Sequence, residues 1–165
     1  MPEYLSPGVY VEEVDTGASP IVGVGTSVAG FIGIFGDAIK IPKPNPAYVP
    51  GEQGDADVSP SIDEDFAPKP AGEVVFCTNF SDYTRAFGTH SNDGGQNVLT
   101  HAVRGFFDNG GARCYVVRVK TAARVSADAL EKFEAIDDIN MVAAPGLDDA
   151  DWAKLTTHCE KMGDR

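Results

Sequence analysis

The sequence lacks the long apolar run that a membrane-spanning helix needs, which is about 18 residues. It also lacks a basic segment followed by an apolar one near its start. We therefore expect no direct membrane insertion and no cleaved secretion signal. The hydrophobic residues make up 42% of the 165 positions but are dispersed along the chain. This composition predicts one globular domain with enough apolar side chains for a core.

Basic residues are scarce and are never clustered. The chain has 13 Lys and Arg against 25 Asp and Glu, which gives a formal net charge of -12. Since nucleic-acid binding depends on basic patches that neutralise phosphates, we expect no nucleic-acid partner. The negative charge opposes self-association unless basic patches on neighbouring molecules face it, so any assembly should depend on salt.

Cysteine is also rare, and the three cysteines lie far apart: Cys77, Cys114 and Cys159. An odd number without Cys-x-x-Cys spacing favours neither a disulfide framework nor a metal site. The apolar neighbours of these residues predict buried free thiols, as in a protein made in a reducing cytosol.

Motifs for cofactor binding and catalysis are absent from the chain. The segment around Gly23 and Gly25 has Val28 where a dinucleotide-binding loop needs glycine, and it continues as a strand where that loop would begin a helix. No Lys-Ser or Lys-Thr pair directly follows Gly25 or Gly30 to make a phosphate-binding loop. The histidines lie in three unrelated sequence contexts: His90, His101 and His158. We expect no cofactor, no metal site and no enzymatic activity.

Strand and helix patterns alternate along most of the chain. Apolar, β-branched or glycine-rich segments predict strands at residues 27–35, 73–78, 114–119 and 140–144. Capping residues and helical spacing predict helices that begin near Ser81, Gln96 and Ser126, and a last helix that carries Trp152. This order predicts an α/β fold with a mainly parallel or mixed sheet and crossover helices.

One stretch interrupts the alternation. Residues 41–70 contain seven of the 11 prolines and six acidic residues but few residues that could fill a core, which predicts an exposed, mobile insertion. We divide the chain into an N-terminal arm, residues 1–20, and a core domain, residues 21–165, that carries this insertion. Because the last helix is a crossover without a strand to receive it, we expect the core domain to be incomplete at its C-terminus.

A short strand pattern stands apart in the arm. Turn-forming residues separate it from the rest of the chain, and its members alternate between two faces: Val9, Tyr10, Val11, Glu12, Glu13 and Val14. An isolated strand is not stable in water, so this segment needs the edge of another sheet. We predict an extended N-terminal strand arm that adds to the sheet of a neighbouring subunit, which indicates assembly and not catalysis.

A helix, a turn and a strand form the second notable pattern. The predicted helix ends with Phe106 and Phe107, and a turn comes next at Asn109, Gly110 and Gly111. Asparagine and glycine commonly end helices, and a β-branched strand begins directly afterwards. We expect these five residues to form a core motif that builds the fold and carries out no chemistry.

Three segments resemble the sheath protein of contractile phage tails and related contractile injection systems: residues 6–33, 98–119 and 138–146. They occur in the order that this family has. The resemblance implies a structural subunit that assembles in the bacterial cytoplasm as stacked hexameric rings around an inner tube. On contraction the rings drive the tube through a target envelope. The implied partners are further copies of the subunit, the inner tube protein, and baseplate and cap proteins.

Two other functions stay open on the sequence. A nucleotide-dependent α/β enzyme would have a cleft at the carboxyl ends of its strands and would bind NAD or ATP. A baseplate or cap protein would share the sheath core without polymerising.

Overall fold

The computed structural model describes residues 28–49 and 59–163, and the predicted arm strand at residues 9–14 lies outside them. The strands are β1 (Val28–Ile34), β2 (Ile39–Pro44), β3 (Ser61–Phe66), β4 (Val74–Cys77), β5 (Arg113–Val119) and β6 (Met141–Ala143). The helices are α1 (Phe80–Phe87), α2 (Gly94–Asp108), α3 (Glu131–Phe133) and α4 (Asp149–Met162). A 3₁₀ turn (Ala122–Arg124) and a π-helical turn (Ser126–Leu130) precede α3.

β1 lies inside a four-stranded sheet with the order β4-β5-β1-β6. It pairs in parallel with β5 over seven residues and with β6 over three. β4 is antiparallel to β5 at one edge. This mixed sheet with its helices confirms the predicted α/β fold. The apolar sequence of β1 suits a strand that is buried on both faces.

Two hydrophobic cores lie on opposite faces of this sheet. On one face, Phe31 of β1 packs in a core with Leu99 of α2 and the buried residues of α1. On the other face, Ile32 packs in a core with Phe133 of α3 and Leu155 of α4. Successive side chains of a strand point to opposite faces, so β1 contributes to both cores.

β1 carries glycines where helical side chains come closest to the sheet. A Cβ on Gly33 would lie 2.5 Å from Cδ2 of Leu99, and one on Gly30 would lie 2.7 Å from the ring of Phe133. Both distances are shorter than van der Waals contact, so a side chain at either position would force the opposing Leu99 or Phe133 side chain to move. The sequence predicted close approach of backbone at these glycines, whereas the structure shows close approach of side chains.

The helices begin at other residues than the sequence predicted. Asn79 caps α1 in place of Ser81, and its side chain accepts a hydrogen bond from a backbone N–H of the first turn. α2 is capped by Asp93 and so begins before Gln96. Ser126 does not cap a helix, because it lies within the π-helical turn. Several polar residues near each start could serve as caps, and only tertiary packing selects one of them.

The predicted insertion contains two paired strands that its composition did not indicate. β2 and β3 form an antiparallel ribbon. Side chains on its outer part are exposed, as at Ile62. At its base, Ile41 is buried and lies with Phe66 against Gly88 at the end of α1. The ribbon is therefore packed onto the core at its base.

Gly95 in the first turn of α2 should be sensitive to substitution, whereas Gly94 beside it should not be. A Cβ on Gly95 would overlap the carbonyl oxygen of Ile34, while a Cβ on Gly94 would meet nothing within 4 Å. We expect Gly95→Ala to lower the free energy of unfolding by about 1–3 kcal/mol through overpacking. Gly94→Ala is the matched control and should be neutral or slightly stabilising, since alanine is the better helix former. Equal midpoints of urea unfolding for the two variants would contradict this packing of α2 on β1.

Candidate functional site

The five residues of the predicted core motif lie at the end of α2 and in the turn that joins it to β5. The backbone N–H of Asn109 donates to the carbonyl of Gly105 at 3.1 Å, and its side-chain amide donates to the same oxygen at 2.7 Å. The N–H groups of Gly110 and Gly111 donate to the carbonyls of the two phenylalanines at 3.1 and 2.9 Å. The turn thus satisfies carbonyl groups that the end of a helix leaves without helical partners.

The two glycines of the turn are needed for different reasons. Gly110 has a φ of +90°, a conformation that strains any residue with a side chain. Gly111 has no positive φ, but a Cβ there would overlap the ring of Phe106. The Asn-Gly-Gly pattern alone does not distinguish backbone strain from a steric clash.

Phe106 and Phe107 pack at the margin of the core. The ring of Phe106 meets the buried ring of Phe31 edge-on, with the centroids 5.5 Å apart, and Phe107 meets Phe106 in the same way at 5.5 Å. Both rings are half-buried. None of the five motif residues carries a nucleophile or a titratable group. Their contribution is therefore structural: they pack against the core and end α2.

A buried arginine occupies the carboxyl ends of β1 and β5, where α/β enzymes place their clefts. The side chain of Arg118 is 2% exposed, and it donates to the Asp37 carboxylate at 2.8 Å. It also donates to the carbonyl of Gly36 at 3.1 Å and to the carbonyl of Lys69 at 2.5 Å. All three guanidinium nitrogens are therefore engaged with the chain itself.

Asp37 lies between two cations at this end of the sheet. Lys120 Nζ donates to its second carboxylate oxygen at 2.5 Å. The hydrogen bonds from Lys120 and from Arg118 lower the pKa of the Asp37 carboxyl group. Lowering the pKa makes the carboxylate a weaker general base, so the arrangement suits a structural ion pair.

A groove of about 490 Å³ lies between the π-helical segment and α4. Lys161 Nζ donates to both carboxylate oxygens of Glu134 at 2.8 Å. The buried ring of His158 lies with Nδ1 3.8 Å from the same carboxylate. Two lysines and two glutamates line the groove. The charges of these lysines and glutamates offset one another.

His90 and His101 lie side by side, with ring centroids 4.4 Å apart. The unrelated sequence contexts of these two residues gave no sign of this contact, which joins the loop after α1 to α2. Within residues 28–49 and 59–163, no group of three or more His, Cys, Asp or Glu side chains is suited to hold a metal ion.

No protein-family model and no curated protein matches this chain. In the part of the chain that the structure describes, no helix is long and apolar enough to cross a bilayer. Of the predicted site residues, the structure describes the five of the core motif, whereas the arm at residues 9–14 lies outside the described ranges.

Gly111→Ala should destabilise the protein through the ring of Phe106 and not through backbone strain. We expect a loss of about 1–3 kcal/mol in the free energy of unfolding, the usual range for overpacking. In a Phe106→Ala background the ring is gone, so the same change should cost much less. A double-mutant cycle by urea unfolding measures the difference. If Gly111→Ala cost the same in both backgrounds, the ring would not be the obstacle.

The ion pairs of Asp37 should stabilise the fold at neutral pH and lose this effect in acid. Because the folded-state pKa is lowered, their contribution is fully present above the ordinary value of 3.8 and is lost as the pH falls through the folded-state pKa. Asp37→Asn should therefore lower the free energy of unfolding at neutral pH, and the gap to the wild type should narrow in acid. Urea unfolding at a series of pH values tests this, and a gap that stays constant throughout would contradict it.

Proposed function

We propose that this chain is a structural subunit of a contractile sheath, like those of phage tails and related injection systems. The proposal rests on the positions, within the fold, of the three segments that resemble sheath proteins. Residues 28–33, 113–119 and 141–143 belong to the three segments, and they lie in the adjacent strands β1, β5 and β6. Segments far apart in the chain thus meet in one structural unit, as a shared fold requires.

The chemistry of the described residues supports a structural role. The guanidinium group of Arg118 is engaged by the chain's own carbonyls and by Asp37. The turn after α2 carries no titratable side chain, and the groove beside His158 is lined by balanced charges. The carboxyl ends of β1 and β5, where an α/β enzyme would hold substrate, are occupied by the internal hydrogen bonds and the ion pair of Arg118.

Contraction of a sheath rearranges its subunits around the inner tube while the links between them hold. A sheet with a core on each face gives a subunit body that moves as a rigid unit. Residues 9–14 would add as a strand to a neighbouring copy, and the turn-forming residues 15–20 would absorb the change in angle. Energy stored at assembly drives the stroke, so no nucleotide is needed. Inner tube, baseplate and cap proteins are the further partners.

Electron microscopy tests this proposal on the product of the complete reading frame that contains the sequence. A sheath subunit should form long hollow cylinders, alone or with the inner tube protein. Particles that never elongate would overturn the sheath proposal in favour of a baseplate or cap protein. A rise in melting temperature with NAD or ATP would favour the enzyme alternative.

Deletion of residues 3–14 from that product should abolish polymerisation and leave a folded monomer, because the arm is proposed to link subunits. Val11→Pro is a milder change that removes one backbone donor from an added strand and should weaken assembly. Val11→Ile keeps both the N–H group and the β-branched side chain, so it is the matched control. Negative-stain images give the readout, and undiminished cylinders after the deletion would contradict the role of the arm.

A further inference from the structure

Two of the three cysteines meet in the sheet. Cys77 at the end of β4 lies directly opposite Cys114 on the antiparallel neighbour β5. Both side chains are 0% exposed and belong to the core covered by α1 and α2. Cys159 is half-buried on α4, which packs on the opposite face of the sheet. The pair was not evident in the sequence because 36 residues separate its members.

The register of this pair is compatible with a covalent link. Residues directly opposite each other in antiparallel strands have Cα atoms about 4.5 to 5.5 Å apart. Disulfides form at Cα separations of about 4.4 to 6.8 Å. Both side chains also point to the same face of the sheet. The link therefore requires little movement of the backbone.

The closed protein protects these thiols, and the edge position of β4 gives a route to them. The neighbouring Cys77 thiol and burial together raise the pKa of the Cys114 thiol. Since the thiolate is the reactive form, the closed state reacts slowly. β4 has four residues and, among the residues described, is paired with β5 alone. Local opening concentrates in such weakly held elements, so opening of β4 would expose the pair.

We propose that Cys77 and Cys114 form a redox modification site, at which a low-molecular-weight disulfide such as oxidised glutathione converts the two thiols into a cross-strand disulfide. One protein thiolate attacks the disulfide bond of the reagent, which forms a mixed disulfide and releases one glutathione thiolate. The second protein thiolate attacks the protein sulfur of the mixed disulfide and releases the second glutathione thiolate. The protein loses two hydrogen atoms, and the reagent is reduced to two thiols.

The disulfide fastens the edge strand to the sheet. It closes a loop from residue 77 to residue 114 that contains α1 and α2, so β4 can no longer separate freely from β5. A particle assembled in a reducing cytosol would gain this link after release into an oxidising exterior. That consequence rests on the proposed function, whereas the disulfide itself does not.

Thiol counting after exposure of the folded chain to oxidised glutathione tests the proposal. The Cys159→Ser variant leaves only the pair, so we expect no alkylatable thiol after denaturation and an intact mass lower by two hydrogen atoms. In the wild-type chain, a peptide map should show the Cys77–Cys114 link, and dithiothreitol should reverse it. Cys77→Ala and Cys114→Ala should each abolish the link. Amide hydrogen exchange in β4 should slow in the oxidised protein.

A parallel incubation in urea supplies the decisive contrast. If the folded protein kept both thiols while the same protein oxidised in urea, the proposal would be overturned. Exclusive linkage of either cysteine to Cys159 in native buffer would also overturn it. These readouts concern the chain by itself, so their failure would leave the proposed sheath function unaffected. Conversely, a chain that forms the disulfide but no cylinders would contradict the sheath function and leave the disulfide proposal intact.

Discussion

The buried guanidinium group of Arg118 requires segments that are far apart in the chain to meet at one end of the sheet. Its donors reach the carbonyl of Gly36 after β1, the carbonyl of Lys69 ahead of β4, and the carboxylate of Asp37. A buried charge is costly unless its donors are satisfied, so these segments have to come together for the fold to be stable. The N–H of Gly72 also donates to the carbonyl of Arg118 at 2.8 Å, which positions the start of edge strand β4.

Local periodicity accounts for the parts of the fold that could be predicted. β1 is an apolar run, β5 is rich in β-branched residues, and the apolar residues of α2 recur at helical spacing before a clear stop. Apart from the helix starts, the features that were missed depend on contacts between separate elements of the fold. They are the β2–β3 ribbon, the opposition of Cys77 to Cys114, and the adjacent rings of His90 and His101. Many strand registers are compatible with one local pattern, so the sequence alone does not select among them.

In the candidate site, too, local features could be predicted and features that depend on tertiary packing could not. The turn after α2 was predictable because Asn-Gly-Gly is a local signal for the end of a helix. The requirement for Gly111 was not, since it depends on how the ring of Phe106 packs against Phe31. Arg118 gave no signal of its role either. Its carboxylate partner, Asp37, lies 81 positions away in the sequence, and an arginine within a strand is by itself typical of a solvated position.

The position of β1 connects this fold to the mechanics of the proposed sheath. β1 comes after the arm region in the sequence and is hydrogen-bonded to β5 over seven residues and to β6 over three. A pull along β1 from its N-terminal end would load the hydrogen bonds to β5 and β6 together. Peeling an edge strand from a sheet would instead break its hydrogen bonds one after another. Gly30 beneath Phe133 and Gly33 beneath Leu99 oppose sliding as well, because a shift along the strand would drive those side chains into the strand's other residues. In the proposed sheath, an arm joined to β1 would therefore pull on the strand that is paired on both sides. The weakly held edge strand β4, which the Cys77–Cys114 link would fasten, lies outside this load path.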